Sequence, residues 1–185
     1  MSVPTRLIDT HLHLVYRDSL TYPWLGSEPT LAARDWTYEL YAAEAHPFGV
    51  TDCLHMEVDV VDADIDRETE FIRNLAGDPG RRIRAAISNA RPEQPGFAQQ
   101  VERACDDPFI RGFRRILHVV PDDVSRARIF RENVGRLAGT GLTFDICVRF
   151  DQLGIAAELA DACPGVTFVL DHCGGGSASR PDRFA

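Results

Sequence analysis

Leu7-Ile8-Asp9-Thr10-His11-Leu12-His13 reads as a β-strand whose far end carries two histidines separated by one residue. Residues i and i+2 of a strand point to the same face, so His11 and His13 present two imidazoles side by side. That arrangement suits one divalent metal, or two donors aimed at one substrate oxygen. It equally suits two half-buried, hydrogen-bonded histidines in a turn. The pair alone leaves both readings open.

Outward from this strand the sequence alternates between apolar runs and amphipathic segments. Strands are predicted at Leu7–His11, Thr51–Val58, Arg82–Ser88, Ile110–Leu117, Leu142–Val148 and Val166–Leu170. Helices are predicted at Thr37–Ala45, Ile65–Ala76, Gly96–Cys105, Val124–Ala138 and Gln152–Ala162. An aspartate upstream caps the second of these, and Gly77-Asp78-Pro79-Gly80 stops it. Short helices between apolar strands indicate an α/β fold with a parallel sheet and right-handed crossovers. An open doubly wound sheet and a (β/α)8 barrel both satisfy the pattern. The first strand–helix junction carries neither a Gly-x-Gly-x-x-Gly nor a Walker loop, and no lysine follows Gly174-Gly175-Gly176. Nucleotide binding is therefore set aside. The long stretch from Leu14 to Asp35 holds Tyr16, Tyr22 and Trp24. Aromatics there make either a pocket wall or a cover over a hydrophobic edge.

The chain has 185 residues, enough for a sizeable core, and a formal net charge of −8, which disfavours nucleic acid and anionic membranes as partners. Its acid is concentrated between Glu57 and Glu70, read as a solvated helix start. The five cysteines, Cys53, Cys105, Cys147, Cys163 and Cys173, form no Cys-x-x-Cys. Cys53 and Cys147 lie in apolar runs, as reduced thiols packing as small hydrophobes do. Odd cysteine number, no signal-like segment in Met1–Arg6 and no long apolar run lead to the expectation of a cytoplasmic protein.

Polar groups recur at the predicted strand ends: His11 and His13, then Glu57, then Arg114 and His118, then Asp145 and Arg149, then Asp171 and His172. In either architecture such residues meet at the carboxyl face of the sheet. His11, His13 and His172 can hold a metal or polarise a carbonyl as donors. Arg114 offers a planar fork for a carboxylate or an oxygen-rich substrate, or an ion pair with Asp145 on the next strand. Glu57 is a weaker metal-ligand candidate, better suited to a supporting role. His55 reads as a packing histidine, and His46 as a surface or capping one.

Taken together these segments resemble the amidohydrolase superfamily, and within it the amidohydrolase-2 branch, which includes sugar-lactone lactonases and the pyrone-dicarboxylate lactonase. The resemblance is carried by Ile8-Asp9-Thr10-His11-Leu12-His13 with Tyr22-Pro23-Trp24-Leu25. Arg111-Gly112-Phe113-Arg114, Phe144-Asp145-Ile146-Cys147-Val148-Arg149 and Phe168-Val169-Leu170-Asp171-His172-Cys173-Gly174 extend it over nearly the whole chain. It implies a TIM-barrel hydrolase that opens a lactone or similar cyclic ester by water attack on a carbonyl polarised by histidines or a metal. It implies His11, His13 and His172 as catalytic or metal-binding residues, and Arg114 as substrate-orienting, with His118, Asp145 and Trp24 also on the substrate side. Zinc or another divalent metal serves some relatives and none serves others, so the cofactor stays open. A decarboxylase on the same scaffold, acting on a carboxylated ring, is the alternative, and an inactive remnant or binding module is a third.

The resemblance also places a general-base aspartate in a Ser-Asp-Trp-Pro-like motif at the end of an eighth strand. No such motif occurs in this sequence, and a (β/α)8 barrel usually needs about 250 residues. The expectation is a partial barrel of about six βα units lacking strands 7 and 8: one amidohydrolase-type domain over residues 1–185, truncated at its C-terminus and impaired in activity. Exposed sheet edges would then favour self-association or a homo-oligomer.

Overall fold

The computed structural model describes residues 6–176. The signal-peptide reading of Met1–Arg6 and the polar tail after Gly176 fall almost wholly outside those residues. Six parallel strands alternate with helices, in the sequential order of a partial (β/α)8 barrel with about six βα units. The chain divides into two compact units, Met1–Asn89 and Ala90–Ala185.

In the first unit β1 (Leu7–Leu12), β2 (Val50–Met56) and β3 (Ile83–Asn89) pair in parallel, with Asp9 opposite Cys53, Leu12 opposite His55 and His55 opposite Ala86. Two short helices, α1 (Pro29–Ala32) and α2 (Tyr38–Ala45), lie between β1 and β2. Thr37 caps α2 by accepting the Leu40 N–H. The predicted Ile65–Ala76 helix is present as α3. Asp64 stands at its N-cap without capping it: its carboxylate accepts the Thr21 N–H at 2.9 Å and pairs with Arg67 instead. The reading of Glu57–Glu70 as a solvated acidic face holds for Asp62, Asp66 and Glu70, which are exposed, and is corrected for three others. Glu57, Asp64 and Glu68 are 1%, 3% and 2% exposed. Each accepts a backbone N–H: Glu57 and Glu68 those of Asp59 and Val58 just beyond β2, and Asp64 that of Thr21 in the loop after β1.

The stretch after β1 covers a hydrophobic cluster. Val15, Leu20, Tyr22 and Leu25 are buried with Val58 and Val60, and Trp24, Trp36 and Phe71 pack around them. An antiparallel bridge between Val15 and Trp36 closes the loop on itself. Leu7 and Ile8, on the strand that begins the sheet order, are exposed.

In the second unit α4 (Phe97–Cys105), β4 (Ile110–Ile116), α5 (Arg128–Gly135), β5 (Thr143–Cys147), α6 (Leu153–Ala162) and β6 (Thr167–Leu170) follow one another. Phe97 meets Phe113 edge-on at 5.2 Å, and Phe130 meets Phe144 at 6.1 Å, at the centre of the core. Helix α5 is shorter than the pattern predicted. Its predicted first residues, 124–127, form turns and a bend, and Ala127 is extended (ψ 138°), which breaks the run before Arg128. Beyond Gly135 the bonds tighten to i→i+3, as from Leu137 N–H to the Val134 carbonyl. Gly112 lets β4 approach β5, since a Cβ there would lie 2.1 Å from Thr143 Oγ1. After β6 the backbone stays left-handed over four residues, His172 and Cys173 at φ 52° and Gly174 and Gly175 at 68°. A Cβ on Gly174 would also strike Leu153 at 2.3 Å. Gly174 and Gly175 thus serve a tight left-handed turn, and Gly176 leaves it in extended conformation.

Candidate active site

In the first unit the end of β1 brings His11 and His13 together. Their rings meet edge to face, with centroids 4.9 Å apart. Both are half-buried. Asp9 fixes the strand end: one carboxylate oxygen accepts the His11 backbone N–H at 3.0 Å and the other accepts the Tyr41 hydroxyl at 3.0 Å. Burial, and then the Asp9 charge, push the Tyr41 phenol well above its ordinary range, so it remains a donor.

His13 Nδ1 lies 3.0 Å from the Met56 carbonyl oxygen. A carbonyl can only accept, so Nδ1 carries the proton and the neutral ring keeps its lone pair on Nε2. This refines the expectation of a hydrogen-bond donor. Neutral His13 offers a basic nitrogen, suited to taking a proton or binding a metal, while polarising a carbonyl would require the imidazolium.

Glu57 is buried and accepts the Asp59 N–H at 2.7 Å. It holds the turn after β2, where Asp59 has a φ of 46°. His55 is buried, 3.4 Å from Glu68, and packs as the sequence suggested. His46 is exposed at the end of α2. Trp24 donates its indole N–H to the Val58 carbonyl at 2.8 Å, against the cluster described above.

In the second unit Arg114 is buried, and its guanidinium bonds Asp171 at 3.2 Å. Asp145, the ion-pair partner anticipated from the sequence, stands opposite Arg114 in the β4–β5 register, and its carboxylate accepts the Thr143 hydroxyl at 2.9 Å. Burial pushes the Asp145 carboxyl up to about 6, helped by the Asp171 charge and opposed by the Thr143 hydrogen bond and by Arg114.

Beyond the strand ends lies a cleft of about 640 Å3, lined by His118, Cys147, Arg149, Asp151 and His172 among others. His118 Nδ1 sits 3.5 Å from Cys147 Sγ. Arg149 donates to the His118 carbonyl at 2.8 Å and to Asp151 at 3.1 Å. The sequence reading missed the His118–Cys147 pair. Its signal was available: Cys147 is opposite Ile116, and His118 follows two residues later on the same side of the alternation.

Among the described residues no group of three or more His, Cys, Asp or Glu side chains is placed to hold a metal ion. His11 and His13 supply two nitrogen donors, whereas zinc sites take three or four protein ligands. The His11–His13 pair by itself therefore falls short of a zinc site. All five cysteines are free thiols. No helix among the described residues is long and apolar enough to cross a membrane.

An uncharacterized protein of Sinorhizobium fredii is 24% identical, over 91% of this chain and 62% of its own length. The L-fucono-1,5-lactonase of Burkholderia multivorans is 27% identical, over 95% of this chain and 58% of its own length. A crystal structure of a Burkholderia multivorans amidohydrolase with bound zinc superposes with a TM-score of 0.74 at 25% identity, covering 90% of this chain and 57% of that one. The chain thus spans about six tenths of the length of the curated relatives it matches. The Amidohydrolase family model (Amidohydro_2) matches residues 8–184, and the chain belongs to that family.

Proposed function

We propose that this protein is a hydrolase that opens a small lactone by adding water to the ester carbonyl. The observation that carries the reading is the 3.0 Å contact between His13 Nδ1 and the Met56 carbonyl oxygen. With Nδ1–H held by the Met56 carbonyl, Nε2 is the basic nitrogen of a ring fixed in orientation. It accepts a proton from the attacking water. The carbonyl carbon gains the hydroxyl, the ring C–O bond breaks, the leaving oxygen takes the proton back from His13, and the product is a hydroxy acid. His11, edge-on beside it, limits the positions the His13 ring can take. Support comes also from the likeness to an L-fucono-1,5-lactonase.

Zinc in the related structure belongs to that protein. His11 and His13 bring two imidazoles together in this chain, and the proposed chemistry is that of the imidazole base. Arg114, bonded to Asp171 inside the sheet, acts in this proposal as a positioning residue that holds the start of the His172 turn.

Ring opening releases a proton, so a pH indicator follows it directly. With L-fucono-1,5-lactone as substrate, we expect a slow turnover that His13→Ala lowers by about a hundredfold or more. Equal rates for the two proteins would overturn the reading. Release of carbon dioxide from a carboxylated ring, with no lactone opened, would replace it with a decarboxylase.

A further inference from the structure

We propose that Cys147 and His118 form a nucleophilic thiol–imidazole pair, a covalent modification site for small anionic carbon electrophiles. The inference does not depend on the lactonase reading, because it uses neither His11 nor His13.

The five cysteines differ in setting, and the differences isolate Cys147. Cys53 is buried on β2, where burial and then the Asp9 charge push its thiol up to about 12. Cys163 is buried at the end of α6, its thiol also raised by burial and directed at the Arg131 carbonyl at 3.3 Å. Both are inert packing thiols. Cys105 and Cys173 are exposed. Cys147 is buried yet lines a cleft, with an imidazole nitrogen 3.5 Å from its sulfur. A ring nitrogen at that distance can take the thiol proton and leave a thiolate–imidazolium pair.

The cleft also favours a negative ligand. Arg149 lines it, held in place by the His118 carbonyl and by Asp151, and His172 lines it from the turn after β6. The Asp151 carboxylate offsets part of that positive charge. A small carboxylate bearing an electrophilic carbon matches this surface better than a neutral one. With an α-halo acid, the sulfur forms a bond to the α-carbon, the halide leaves with the bonding pair, and the thiol proton stays on His118. With an unsaturated acid, the sulfur adds to the β-carbon and His118 returns the proton to the α-carbon.

Iodoacetate and iodoacetamide are the probes, applied to the full chain, with each cysteine read by mass spectrometry. We expect Cys147 to react with iodoacetate at least tenfold faster than Cys53 and Cys163. We expect it also to prefer iodoacetate over iodoacetamide more strongly than exposed Cys105 does. His118→Asn should lower the Cys147 rate about tenfold, while Cys53 and Cys163 stay protected, which reports that the variant is folded. If that variant loses protection at Cys53 and Cys163, the comparison of the two reagents at Cys147 in the unaltered chain decides instead. Cys147 reacting no faster than Cys53 and Cys163, all five cysteines reacting alike, or an unchanged rate in folded His118→Asn would each overturn the proposal.

Discussion

The two units end their strands in opposite ways. At the end of β1 the polar groups are half-buried rings, and a backbone carbonyl decides which nitrogen of His13 is basic. On β4, β5 and just after β6 they are charges sunk into the sheet: Arg114 bonded to Asp171, with Asp145 opposite in register. A half-buried imidazole changes protonation state at small cost and suits chemistry. A buried guanidinium–carboxylate pair resists change, because each charge depends on the other for compensation. The first unit is thus equipped to move a proton, and the interior of the second to hold its strands in register.

The largest effect should come from breaking the buried pair. Arg114→Ala leaves Asp171 uncompensated and should cost about 3–5 kcal/mol in stability. His13→Ala, which removes one half-buried hydrogen bond, should cost about 1 kcal/mol. Urea unfolding of the two variants checks the contrast, and equal losses would erase it.

Asp145 sharpens the same comparison. Its carboxyl, ordinarily near 3.8, stands at about 6 in the folded chain. The folded state therefore holds that proton more tightly than the unfolded state does. Stability from this residue is fully present below about pH 4 and is lost as pH rises to about 6. At about 1.4 kcal/mol per pH unit, the loss comes to about 3 kcal/mol. Asp145→Asn should be more stable than the parent at pH 8 by about that amount, and close to it at pH 3.5. Thermal or urea unfolding across pH 3.5–8 reads this directly, and a variant less stable than the parent at pH 8 would contradict it.

Much of the fold was legible because strands and helices here obey simple periods. The Ile65–Ala76 helix falls where the apolar stripe put it, and each of the six strands falls within two residues of its predicted limits. Helix α5 was over-extended because the sequence pattern does not show that Ala127 turns extended. The His11–His13 pairing was legible from strand geometry alone. The His13 tautomer was not, because it depends on Met56, brought beside it only by the β1–β2 pairing. The burial of Glu57, Asp64 and Glu68 was hidden for the same reason: local sequence shows a cluster of acids, while their partners are mostly backbone N–H groups of turns.

The account turns on which nitrogen of His13 carries the proton, and 15N NMR of selectively labelled histidine measures it. At a pH where the ring is neutral, the account predicts a protonated, pyrrole-type Nδ1 and a pyridine-type Nε2. A pyrrole-type Nε2 would show that the Met56 carbonyl does not set the tautomer, and would remove the base from the proposed hydrolysis.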